Sequence, residues 1–256
     1  MGLGRQVGSL VRREAIRLAR NPGAVIQSVV FPSVLLLVLL AVFGEAVADA
    51  DGQSAVQRIG PAMLLSGAAF GSVGAAVGMF TDLRSGMLNR LRSMAISRWA
   101  PLLAKYLADV VRVLALTVLI TLVAVVLGMR FRGGLGPALA FPFVAVGFGS
   151  SFVWIGLALA TGAATQEGLV PPISALFLLL LFVSRGMVPI SAFPGWAQPI
   201  AKVTPTSVMV QGLQHLVNGG ALRGPLLGGA LWATGLTFVF GVLAVNGFRR
   251  AEPARA

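Results

Sequence analysis

The sequence predicts an all-α bundle of six membrane-spanning helices, and three observations predict it. Hydrophobic residues fill 57% of the 256 positions and charged residues only 11%, with a mean hydropathy of +0.88, whereas soluble domains carry about a quarter charged residues. The apolar stretches are individually long enough to cross a hydrocarbon core of about 30 Å, which takes roughly 20 helical residues. The basic residues lie in the short segments between those stretches rather than on one soluble face. A chain of this kind cannot cover itself with polar surface, so its main solvent is lipid. The formal charge of +12 therefore reads as a set of topology signals, and nucleic acid is not an expected partner.

Residues 3 to 20 precede the first span. At 100° per residue Leu3, Val7, Leu10, Val11 and Leu18 share a face opposite Arg5, Arg12, Arg13 and Arg20, the pattern of an interfacial helix. Glu14 interrupts the apolar stripe and Ile16 falls on the polar side, so a plain basic tail is the alternative. Asn21-Pro22-Gly23 ends this element. The first long apolar run starts near Ala24 with no small-residue cleavage pattern after it, and the first span is expected to be retained.

The expected spans are 24 to 43, 60 to 80, 107 to 127, 138 to 160, 169 to 187 and 225 to 246. Residues 133 to 166 contain no charge, but the glycines and prolines of Gly133 to Pro142 argue for one span preceded by a turn. With a cytoplasmic N-terminus, the inner segments hold Arg5, Arg12, Arg13, Arg17, Arg20, Arg84, Arg90, Arg92, Arg98, Lys105, Arg249, Arg250 and Arg255. The outer ones hold Arg58, Arg130, Arg132, Arg185, Lys202 and Arg223, with Arg112 inside the third span. The positive-inside rule selects this orientation, with both termini cytoplasmic in the plasma membrane. No internal repeat or low-complexity tail marks a second unit, so residues 1–256 are expected to form a single membrane domain.

The spans offer almost no ionisable group for proton or ion coupling, although an intramembrane charge is the usual mark of it. Asp109 and Arg112 stand one helical turn apart and read as a local ion pair. Arg185 is placed to snorkel to headgroups, Glu167 falls in a short inner loop, and the single His215 has no second ligand at metal spacing. There is no cysteine, which excludes disulfides and thiolate chemistry. No phosphate loop, nucleophile elbow or zinc helix motif is present. No catalytic residue, metal ligand or bound cofactor is expected, and uphill transport would need energy from another chain.

Two segments carry the most information. In the inner loop after the second span, a short helix would place Met87, Leu88, Leu91 and Met94 on one side, away from Asn89, Arg90 and Ser93. Such a stripe suits either the lipid surface or the groove of a partner protein, and periodicity does not choose between them. After the fifth span, Pro189, Pro194, Pro199 and Pro205 forbid one straight helix. Trp196 beside Pro194-Gly195 suits a membrane interface. Short broken helices packed on the bundle and dipping into the outer leaflet are expected there.

At these segments the sequence resembles type-2 ABC transporter permeases, in particular the daunorubicin-resistance-like drug exporters. Gly86, Arg90, Arg92, Ser93, Ser97 and Arg98, followed by Leu107, Ala108 and Asp109, match that family's first inner loop, with Asn89 replacing an acid and Ala95 a proline. Val188-Pro189, Pro194-Gly195-Trp196, Pro205 and Gly219 match its later pattern, and His215 stands where a basic residue is common. The resemblance implies an N-terminal elbow helix within 1–23, a cytoplasmic coupling helix at residues 84 to 95 within a loop at 81–105 that docks on a separate ATPase, and a re-entrant outer segment at 183–222. It assigns ATPase coupling to Asp82, Arg84, Gly86, Leu88, Arg90, Leu91, Arg92, Ser97 and Arg98. The partners implied are a separate ABC ATPase subunit that binds ATP and Mg, a second permease chain in a homodimer or related heterodimer, and membrane lipids. The expected activity is export of hydrophobic drugs, lipids or related amphipathic compounds. Phe182, Phe193 and Trp196 are the candidates for the substrate path. The rival readings are a non-transporting membrane scaffold and a secondary transporter.

Overall fold

The computed structural model describes residues 8–13, 16, 30–48, 54–85, 100–186, 190 and 193–250. Residues 8–13 and Ile16 are helical, with Ile16 exposed; the rest of the expected N-terminal helix lies outside the described residues. The main helices are α1 (Phe31–Ala48), α2 (Ala55–Arg84), α3 (Ala100–Val126), α4 (Leu135–Gly162), α5 (Val170–Phe182), α6 (Gln198–Val203), α7 (Pro205–Asn218) and α8 (Arg223–Arg250). Among the described residues there is no strand. Four helices, α2, α3, α4 and α8, are long and apolar enough to cross a membrane. Shorter apolar helices occupy Pro32–Val42 and Val170–Phe182.

The ends of these helices follow local chemistry. At the start of α2 the Ser54 backbone N–H and hydroxyl both donate to Gln57 Oε1, at 3.2 and 2.9 Å, a reciprocal arrangement that satisfies donors at a helix start. This carries α2 well before the expected residue 60. Gly134, at φ 86°, turns the chain into α4, a conformation that side chains with a Cβ resist. Proline opens α5, α6 and α7 at their first or second positions, where its missing N–H would have had no partner. Pro199 and Pro205 thus divide residues 198–218 into two short helices.

The expected fifth span, 169 to 187, is helical only to Phe182. There the chain turns, because α7 supplies better partners: the Arg185 N–H donates to Ser207 Oγ at 3.1 Å, and Thr206 Oγ1 donates to the Leu180 carbonyl at 2.9 Å. At the other end of α7, Gly219 takes φ 76°, and the Arg132 N–H donates to the Val217 carbonyl at 2.8 Å. Gln214 Nε2 donates to the Arg58 carbonyl at 3.0 Å. The segment is thus broken at its prolines, and its second helix, α7, is packed on the bundle.

The core is built around α2, which packs against α1, α3, α4, α5 and α7. Small residues make this closeness achievable: a Cβ at Gly67 would meet Pro32 of α1 at 2.9 Å and Leu116 of α3 at 3.0 Å. At Gly156 of α4 a Cβ would lie 2.8 Å from the Ser72 carbonyl oxygen. In lipid, helix association rests on such close packing rather than on apolar burial alone. Phe177 fixes α5 to both core helices, with its ring 6.3 Å from Phe70 and 5.9 Å from Phe152 in edge-to-face contact. By contrast, α8 joins from one side and stays largely exposed along its length.

Candidate functional site at the joined ends of α2 and α3

The helices α2 and α3 are joined by residues 85–99 and run antiparallel, as the contacts between them show. Near the joined ends, Asp82 and Lys105 form an ion pair of 2.8 Å, and each is at least nine-tenths buried. Two turns further along α3, Arg112 grips Asp109 with two nitrogens, Nη2 donating to Oδ2 at 2.9 Å, and Nη2 also donates to the Ala68 carbonyl of α2 at 3.2 Å. Arg112 is 3% exposed, and its Nη1 is buried without a hydrogen-bond partner. The expected local pair of Asp109 and Arg112 is present, and it reaches across to α2 as well.

Glycine on α2 makes room for both cations. The guanidinium of Arg112 lies where a Cβ on Gly71 would be, and Lys105 Nζ lies 3.3 Å from the Cβ position of Gly78. Gly71 and Gly78 are seven residues apart, as are Lys105 and Arg112, so two whole turns of one helix match two of the other. Such pairs are costly to bury and costly to break, since loss of one partner leaves an uncompensated charge.

Arg84 ends α2 differently. Its Nη2 donates to the carbonyls of Ala164 and Ala163 at 2.6 and 3.4 Å, just past the end of α4, and its guanidinium lies 5.4 Å over the Phe80 ring. A cation satisfying carbonyls beyond a helix C-terminus is a favourable arrangement. It ties the end of α2 to the loop that follows α4. Of the nine residues assigned to coupling, Asp82 and Arg84 are thus in contact with the bundle. Gly86, Leu88, Arg90, Leu91, Arg92, Ser97 and Arg98 lie outside the described residues.

A second feature is a laterally open groove of about 860 Å³ between α4 and α8, closed at the back by Tyr106 of α3. The helices touch at Gly229, where the Phe148 ring fills the Cβ space, and at Gly247, against Thr161. The walls are Val144, Gly147, Phe148, Leu226, Ala233, Phe238, Gly241 and Val245, with hydroxyls from Tyr106, Ser150, Thr234 and Thr237 and no charged side chain. Tyr106 stacks on Trp154 with centroids 4.7 Å apart and donates to Ser150 Oγ at 3.3 Å. Phe182, Phe193 and Trp196 are not among the lining residues; Phe182 and Trp196 are exposed at the surface.

The family model described as ABC-2 type transporter matches residues 5–217, from the N-terminal segment into the last turn of α7. The chain belongs to the ABC-2 type transporter family. It is similar to the probable doxorubicin resistance ABC transporter permease protein DrrC of Mycobacterium tuberculosis strain H37Rv, at 31% identity over 236 residues, 92% of this chain and 85% of that protein. The protein of the same name from strain CDC 1551 matches equally. The daunorubicin resistance ABC transporter permease protein DrrB1 of Streptomyces coeruleorubidus is 28% identical over 200 residues, 78% of this chain and 70% of that protein. With this family and these helices, the chain is a multi-pass membrane protein.

The charge ladder between α2 and α3 was only half visible in the sequence. Lys105 stands four residues before Asp109 and seven before Arg112, so the three share one face of a helix that is otherwise apolar. That spacing was the available signal, and counting Lys105 as a loop residue hid it. The groove has a fainter mark: Ala233, Thr237 and Gly241 recur every four residues along α8, a small-residue face of the kind that lies against something.

Proposed function

We propose that the chain is the six-span permease of an ATP-driven exporter, a single membrane domain with cytoplasmic termini that works with a separate ABC ATPase and a second permease chain. In this reading α1 and α5 complete the six spans with the four long helices, and the N-terminal segment is an elbow helix. The segment around α6 and α7 is re-entrant at the outer face. The ATPase binds ATP and Mg and docks on the 85–99 segment.

The observation that carries the substrate class is the groove between α4 and α8. A volume of about 860 Å³ falls in the range of pockets for drug-sized ligands. Its walls are apolar with a few hydroxyls and no charge, which suits a lipophilic compound entering sideways from the bilayer. The drug-resistance names of the relatives support the same class. Filling the groove tests this. With Ala233→Phe, we expect stimulation of the partner's ATP hydrolysis by amphipathic compounds to fall about tenfold, a loss of some 1.4 kcal/mol in affinity, while unstimulated hydrolysis is kept. Amino acids and simple sugars should not stimulate in either case. Stimulation by a polar solute, with no response to lipophilic compounds, would remove this substrate class.

Orientation has its own test, eased by the absence of native cysteine. An impermeant thiol reagent added to intact cells should label a cysteine introduced at Gln53 or Gly134, but not one at Ser93 or Ala254. Labelling of the last two in sealed cells would reverse the topology.

A further inference from the structure

Two buried polar contacts join α2 to α3: the Asp82–Lys105 ion pair beside the connecting segment, and Arg112, paired with Asp109 on its own helix, which donates to the Ala68 carbonyl of α2. We propose that they act as a clamp that locks α2 and α3 into a single lever, so that movement imposed on their joined ends reaches the middle of the bundle. The inference rests on the exporter reading for its purpose, but its geometry stands apart from it.

The contacts are arranged for transmission rather than for simple attachment. The Asp82–Lys105 pair, at 2.8 Å, lies next to the segment. It stops the helix ends from sliding or splaying when the segment is pushed. Arg112, seven residues further into the bundle, repeats the contact by donating to the Ala68 carbonyl. With its guanidinium seated over Gly71, it opposes rotation of α3 against α2. Two anchors in register, each in a glycine niche, fix both sliding and rotation. One alone would leave α3 free to pivot. An apolar stripe of equal area would hold the helices together but would not fix their register, since apolar contact is non-directional. Beyond Arg112, Gly67 and Gly149 bring α1 and α4 within close reach of α2 and α3, so movement of the lever is passed to neighbouring helices.

Lys105, Arg112 and Gly71 are therefore positioning residues, acting through the helices and not on the cargo. The informative variant removes both charges of the anchor beside the segment, Asp82→Asn with Lys105→Met, because a buried pair replaced on both sides leaves no uncompensated charge and folding is retained. Spin labels on cysteines introduced at Thr81 of α2 and Leu107 of α3 report the distance between the helices in the permease alone, in lipid nanodiscs. We expect one narrow distance in the native background and a broad distribution in the double variant and in Gly71→Val. The charge-swapped pair, Asp82→Lys with Lys105→Asp, should restore the narrow distance. In vesicles holding permease and ATPase, the double variant should still assemble and hydrolyse ATP. Its export per ATP should fall about tenfold, within the usual range of coupling between sites, and the swap should recover it. A distance that stays narrow in both variants overturns the clamp, whatever the chain carries. Broadening with unchanged export per ATP overturns its role in coupling. If the native complex does not export at all, the exporter reading falls, and the distances still decide the clamp.

Discussion

Asp109→Ala is expected to remove most of the folded permease from the membrane. Arg112 would remain 3% exposed with its carboxylate partner gone, and a buried charge stripped of its partner costs about 3–5 kcal/mol. Its remaining contact, to the Ala68 carbonyl, does not offset that. Total stabilities of folded proteins are only about 5–15 kcal/mol, so the loss is a large share of the whole. Detergent-solubilised material, followed by size-exclusion chromatography and thermal unfolding, reads the effect. Adding Arg112→Met to the same chain should return much of the lost stability, since both charges are then absent. Equal stability of Asp109→Ala and the native chain would show that the pair is not buried in the folded protein.

The second large effect is expected at Leu91→Asp, in the segment between α2 and α3. Met87, Leu88, Leu91 and Met94 fall on one face at helical spacing. If that face docks on the ATPase, a carboxylate placed in the contact costs several kcal/mol unless it escapes to water. The permease should still insert, because Leu91 falls in a segment whose sequence lies outside the expected spans. The ATPase should no longer co-purify with it, or should hydrolyse ATP without export. Retention of full partner binding and export would remove this segment as the docking element and return its apolar face to the lipid surface.

Hydropathy made the helices legible because a span must be long and continuously apolar whatever it packs against: four of the expected spans fall on helices long and apolar enough to cross, while the first and fifth meet shorter apolar helices among the described residues. Their ends were less legible. The Ser54–Gln57 arrangement lengthens α2, and the hydrogen bonds from Thr206 and to Ser207 shorten α5, through contacts that a window average does not contain. Asp109 with Arg112 could be read as a pair because one helical turn separates them in sequence. Asp82 with Lys105 could not, since the pair closes only when α3 folds back along α2. Glycine told even less by itself. The niche at Gly71 has meaning only once Arg112 is known to lie in it, and the groove between α4 and α8 is lined by residues far apart in sequence that only the packed helices bring together. The residues assigned to coupling were found by resemblance, and of these the structure describes the two nearest the bundle, both engaged with it.

The most direct measurement is ATP-driven export in sealed inverted vesicles made from purified permease and its ATPase, followed with a fluorescent lipophilic compound. We expect accumulation in the vesicles that requires both chains and hydrolysable ATP, and that persists when proton and sodium gradients are collapsed. Accumulation by the permease alone, driven by an ion gradient and indifferent to ATP, would contradict an ATPase-powered exporter.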